Sequence, residues 1–219
     1  LLMDLDNIVS HTHDLAGLRR GVVELAALPS LCSGVLPKVI RGFNDSHPGI
    51  EIRLRDVVAQ RIDELVRSGD ADFGLGVRAR NGAGLAFRPL LVDRLCLYLP
   101  VDHPLAARAE VRLADLAGLP MILTGRDSSV RAHIERLFED NGLVLQARVE
   151  ANYMSTVIAL VQQGLGVTLL PESAAQGHDG LVCRAIDQPQ LNREIGLITR
   201  AEQGLSPAAQ AFVERLQAQ

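Results

Sequence analysis

The spacing of apolar residues along the chain separates helices from strands. Leu1, Leu5, Ile8, Thr12 and Leu15 step by four, three, four and three, a short heptad seam on a helix with polar flanks. An ordinary amphipathic helix gives the same pattern. Gly21 to Ala27 then reads as a strand. Pro29 and Ser30 open a helix with Val35, Leu36, Val39, Ile40 and Phe43 on one face, and His47-Pro48-Gly49 breaks it. Ile50 to Leu54 alternates as a strand. Residues 59–68 form a short helix with Ile62, Leu65 and Val66 inward, and residues 68–76 turn into a further strand. Strands alternating with helices predict parallel pairing.

A break near Asp93 starts a second series. Arg94 to Pro100 reads as a strand, followed by the polar corner Asp102-His103-Pro104, a short helix over Leu113 to Ala117 and a strand over Met121 to Thr124. The helix at 130–141 carries Val130, Ile134, Leu137 and Phe138 on one face and ends at Asn141-Gly142. A strand over Ala147 to Ala151 precedes a largely buried helix from Met154 to Val161. Gly164 stands where a left-handed helix end belongs. Val167 to Leu170 reads as an interior parallel strand stopped by Pro171. Residues 193–199 offer one more strand. Ser206-Pro207 is an N-cap followed by proline at the first helical position, and the closing helix buries Phe212, Val213 and Leu216. The expected division is a leading helix at 1–19, one subdomain from 20–93 plus 190–219, and a second from 94–189.

A chain of 219 residues suffices for one large or two small domains. With 47% hydrophobic and 22% charged residues it belongs with globular chains, not disordered ones. No apolar run approaches a membrane span, and the first residues lack a signal-peptide pattern, so no membrane partner is expected. A formal net charge of −4 argues against this piece gripping nucleic acid by itself. Cys32, Cys96 and Cys183 are odd in number and far apart, which fits a reducing cytosol without a disulfide framework. His11 and His13 are two apart and diverge on a helix, His47 and His103 sit at turns, and no Cys or His pair has zinc spacing. No G-x-S-x-G elbow occurs. The expectation is therefore no metal, no cofactor and no enzymatic activity.

Four segments together carry a family resemblance. They are Leu28-Pro29-Ser30 with Val35-Leu36-Pro37, Phe43 and His47-Pro48; LVRSGDADFGL at 65–75; RLCLYLPVDHPL at 94–105; and GLGVTLLP at 164–171. In that order, over roughly residues 15–219, they resemble the effector-binding domain of LysR-type transcriptional regulators. The resemblance implies an α/β fold of two Rossmann-like subdomains joined by two crossover strands. That fold is like the type 2 periplasmic binding proteins, with a cleft for a small-molecule effector. It makes the leading helix a dimerising linker. It also implies a homodimer or homotetramer in the cytoplasm, with the helix at 31–46 of one chain near the helix at 130–141 of another. No segment here has the basic pattern of a recognition helix, so DNA contact is expected only through an N-terminal winged helix-turn-helix absent from this sequence. A solute-binding protein of a transporter would share the fold. The missing signal pattern and the leading helix weigh against it. An enzyme on this fold lacks a nucleophile–base pair.

Several residues become candidates for the effector. Ser30 opens a helix, where partial positive charge and free N–H groups suit an anion; a plain cap is the alternative. Leu31 and Cys32 offer backbone N–H groups beside it, and Cys32 is either a redox sensor or a small packed residue. Val77 and Arg78 end a strand of the first subdomain. Thr124, Arg126, Ser128 and Ser129 occupy a strand-to-helix loop, where hydroxyls and a guanidinium suit a carboxylate or other oxyanion. Capping and a solvated arginine are the alternatives. Tyr153 and Met154 follow another strand end, with Met154 equally placed for the core. The expected effector is a small anion or acid.

Overall fold

Fifteen segments of regular α or β structure follow one another in the computed structural model, which describes residues 20–79, 81–172, 174 and 179–218. The leading helix expected at 1–19 lies outside the described residues. The first half runs β1 (Gly21–Ala27), α1 (Pro29–Ser33), α2 (Leu36–Ser46), β2 (Ile50–Asp56), α3 (Ala59–Ser68), β3 (Phe73–Gly76) and β4 (Leu85–Pro100). The second runs β5 (Met121–Thr124), α4 (Ser129–Asp140), β6 (Ala147–Ala151), α5 (Met154–Gln162), β7 (Thr168–Pro171), β8 (Leu181–Arg184), β9 (Asn192–Arg200) and α6 (Pro207–Gln217). The chain divides into two units. One takes the described residues up to Leu90 and from Gly196 onward, and the other spans Leu91–Ile195.

In the first unit β1 is central. It pairs in parallel with β2, from Gly21 opposite Ile50 to Ala27 opposite Asp56, and in parallel with β3, Leu25 standing opposite Phe73. β9 joins antiparallel to β3, and β4 neighbours β9, so the order is β2-β1-β3-β9-β4. The single helix expected after Pro29 is two. Gly34, at φ −97° and ψ −93°, leaves helical geometry between them. Pro37 in the first turn of α2 has no N–H to continue the ladder from α1. Phe43 of α2, Phe73 of β3 and Phe212 of α6 are fully buried together. Phe212 meets Phe43 edge-on at 5.1 Å between ring centroids and lies 6.0 Å from Phe73.

In the second unit β4 pairs antiparallel with β7 on one side and β8 on the other. β5 and β6 are parallel. Ile122 N–H donates to the Val167 carbonyl at 2.8 Å and Val167 N–H to Pro120 at 3.0 Å, which sets β5 beside β7. The order is thus β6-β5-β7-β4-β8. The stretch 167–170 is interior, as expected, but parallel only towards β5; towards β4 it is antiparallel. The strand expected from Arg94 begins at Leu85, and β8 was not foreseen. Leu95, Leu97, Leu99, Ile122, Phe138, Val157 and Leu169 form the core of this unit.

Two glycines make the α5–β7 connection possible. Gly164 ends the helix at φ 72°, in the left-handed region. Gly166 passes so close to the neighbouring chain that a Cβ there would sit 2.1 Å from the Pro120 carbonyl oxygen. That obstacle is backbone and cannot rotate away. Gly166→Ala should therefore destabilise the protein by about 1–3 kcal/mol, the usual range for overpacking. A denaturant titration showing no loss would mean that the β5–β7 approach is looser than drawn.

Candidate functional site

In the first unit the chain leaves β1 at Ala27, and Leu28, in extended conformation, is the N-cap of α1. Ser30 is therefore the second helical residue and does not cap. Its side chain is 2% exposed, and its Oγ is buried without a hydrogen-bond partner among the described residues. The N–H groups of Leu31 and Cys32, expected as donors at this place, both turn back to the Leu28 carbonyl, at 2.9 and 3.1 Å. The Cys32 thiol donates to Ala27 O at 3.7 Å. Burial, with the nearby Asp56 carboxylate adding to it, pushes that thiol up to about 12. That shift and the bond to Ala27 accord with the packed-residue reading of Cys32. Val77 is half-buried just past β3. Arg78 is exposed, with its guanidinium 4.4 Å from the Phe87 ring centroid, a cation–π contact.

In the second unit Thr124 is the last residue of β5. It is 2% exposed, and its Oγ1 also lacks a partner among the described residues. Arg126 is exposed. Ser128 is the N-cap of α4, its Oγ accepting from Val130 N–H at 3.2 Å. Ser129 Oγ accepts from Arg193 Nη1 at 3.2 Å. The other arm of Arg193 pairs with the Asp93 carboxylate, and both side chains are nearly buried. Tyr153 occupies the N-cap position of α5 without capping it and is 74% exposed, while Met154 is half-buried.

The structure thus sorts the candidates. Ser128 and Ser129 already have protein partners. Ser30, three residues past the end of β1, and Thr124, the last residue of β5, carry hydroxyls with none among the described residues. Sequence reasoning missed Arg193, because an arginine between Asn192 and Glu194 in a strand reads as solvent-facing. It also missed Thr168, a third buried hydroxyl without a described partner. Among the described residues, no group of three or more His, Cys, Asp or Glu side chains could hold a metal ion.

Both units are α/β, with hydroxyls at or past the ends of parallel strands. Comparison with known proteins makes the class specific. Residues 16–219 match the LysR substrate binding domain, and the chain belongs to that family. It is 30% identical over 214 residues to the uncharacterized HTH-type transcriptional regulator YbhD of Escherichia coli K12, covering 97% of this chain and 68% of that protein. The regulatory domain of CcmR from Synechocystis PCC6803, solved in complex with 2-PG, superposes with a TM-score of 0.84 at 21% identity, over 91% of this chain and 97% of that one. The effector-binding domain of QuiR, solved with shikimate, superposes with a TM-score of 0.81 at 21% identity, over 91% and 96%. The fold is that of LysR effector-binding domains, which resemble periplasmic binding proteins, and this chain is such an effector-binding domain. It spans about two thirds of the length of the curated relatives it matches. No helix among the described residues is long and apolar enough to cross a membrane.

Proposed function

We propose that the effector is a small acid or anion and that it is recognised by a buried hydroxyl without a partner: that of Thr124 in the second unit, with Arg126 supplying positive charge, and that of Ser30 as the candidate in the first unit. The observation that carries this reading is a buried hydroxyl without a partner among the described residues in each unit. Burying a polar group without a partner costs about 1–3 kcal/mol. In each unit the hydroxyl lies at or past the carboxyl end of a parallel strand, the region where open α/β sheets bind ligands, which supports this reading. An oxyanion accepting from such a hydroxyl would recover that loss. The whole protein, on this reading, is a cytoplasmic transcription regulator that assembles as a homodimer or homotetramer and meets DNA through a segment outside this sequence. Effector binding shifts the population of its conformations.

The test begins with a thermal-shift screen of small carboxylates, phosphates and sulfonates, since a ligand of the native state raises the midpoint. Calorimetry then compares Ser30→Ala and Thr124→Val with the parent. Each variant should lose about 0.5–1.5 kcal/mol of affinity, roughly two- to tenfold. Each should also keep or gain stability without ligand, because the substitution removes a buried hydroxyl that had no partner. Unchanged affinity in both variants would sink the assignment, as would a screen in which only neutral compounds bind.

A further inference from the structure

β5 and β6 run in parallel and end level, with Thr124 standing opposite Ala151. The residues that follow, Gly125 and Asn152, therefore lie side by side past the carboxyl ends of the two strands, within the second unit. Gly125 is buried, and its carbonyl accepts the Ser128 N–H at 3.0 Å, closing a turn over residues 125–128 ahead of α4. That turn brings Asp127 back over Gly125. A Cβ built on Gly125 would meet Asn152 Oδ1 at 2.9 Å and Asp127 Oδ1 at 2.9 Å. The backbone at Gly125 is outside the left-handed region, so the turn itself does not require glycine. What requires it is room for the two oxygens. Both side chains are exposed, and neither has a hydrogen-bond partner among the described residues.

We propose that the effector is an amino acid, whose ammonium group is held over Gly125 by Asp127 and Asn152. This inference rests on the reading given above, in which Thr124, the residue before Gly125, serves the acid group. A carboxylate and an amide oxygen only accept hydrogen bonds. Two such acceptors converging on one glycine call for a donor between them. An acid without a donor brings its own negative charge up to Asp127 and satisfies neither oxygen. A hydroxyl has one O–H to give and reaches one of them. An ammonium has three N–H donors and a positive charge, so it satisfies both oxygens and forms charge-assisted bonds.

The order of residues along the chain suits an amphoteric ligand. Thr124 offers a buried hydroxyl, Gly125 leaves the opening, Arg126 carries an exposed positive charge and Asp127 a negative one. Both signs of charge thus stand on one strand-to-helix loop. An α-amino acid likewise carries both signs on adjacent atoms, which matches a loop of this length.

The experiment titrates the purified chain by calorimetry with matched sets of probes at up to millimolar concentration. Each set holds a common L-amino acid, the acid with hydroxyl in place of the amine, the acid with hydrogen there, and the amino acid's carboxamide. The amino acid should bind roughly ten- to hundredfold more tightly than the unsubstituted acid, with the hydroxy acid between them. Asp127→Asn should bring the amino acid down to the affinity of its unsubstituted partner. Gly125→Ala should do the same, because its methyl group displaces both oxygens. The atoms it meets are side-chain ends that can turn away, so its thermal midpoint without ligand should stay near that of the parent. The inference is overturned, and the anion reading left standing, if the unsubstituted acids bind as tightly as the amino acids. Carboxamides that bind as tightly as the amino acids overturn the anion reading and leave the ammonium site standing. A parental preference for the amine in both Asp127→Asn and Gly125→Ala, or a panel in which no amino acid binds, also overturns the inference.

Discussion

Phe212→Ala should remove about 3–5 kcal/mol of stability, the range for deleting a buried aromatic ring. Phe212 is fully buried, and its ring touches Phe43 from α2 and Phe73 from β3. Three elements from distant parts of the chain thus depend on one side chain. The loss has two parts, the transfer free energy of the ring and the cavity it leaves. The cavity cannot collapse easily, because its walls lie on both a strand and a helix. Natural domains hold only about 5–15 kcal/mol in total, so a large share of the stability of this unit is at stake. The chain has no tryptophan and two tyrosines, so circular dichroism in urea is the suitable readout. The expected result is a lower midpoint with an unchanged slope. A loss below about 1 kcal/mol would show that α6 is not a structural part of this core.

The second large effect concerns Asp93 and Arg193. The Arg193 side chain is 2% exposed and that of Asp93 is 11% exposed, so the guanidinium is compensated inside the protein and not by water. Asp93→Asn leaves that charge without a counter-charge, with only neutral oxygen acceptors, the new amide and the Ser129 hydroxyl, among the described contacts. Breaking a buried pair in this way costs about 3–5 kcal/mol, because the surviving charge must stay desolvated. Replacing both partners, as Asp93→Leu with Arg193→Met, should recover most of the loss, since apolar replacements avoid the desolvation penalty. The double-mutant cycle in urea is the measurement. Additive losses in the double variant would mean that each residue acts independently and that the pair is no more than a surface contact.

The leading reading of the 164–171 segment held in its local parts. Gly164 is left-handed and the strand after it is buried, because both follow from neighbouring residues. The first half of β4 was not legible. Residues 85–88 alternate in exposure, but Pro89 interrupts the run, and a proline argues against a paired strand unless its missing donor falls at an unpaired position. β8 is four residues long, too short for periodicity to declare itself. The serines at 128 and 129 looked alike in sequence. One caps its own helix and the other accepts from an arginine 64 residues away.

What the sequence determined by itself was much of what depends on near neighbours, though not the break at Gly34 or the cap of α1. Helix faces, caps and turns follow from residues three or four apart, and the family-specific wording at 28–48, 65–75, 94–105 and 164–171 placed the chain among LysR effector domains. Only the tertiary structure decided which polar groups are already paired. It gave Arg193 to Asp93 and Ser129, and returned the amides of Leu31 and Cys32 to Leu28. It also left Ser30 and Thr124 without partners among the described residues. The reason is physical. A hydrogen bond or ion pair needs its two atoms within about 3–4 Å, and strand register, not sequence separation, brings such atoms together.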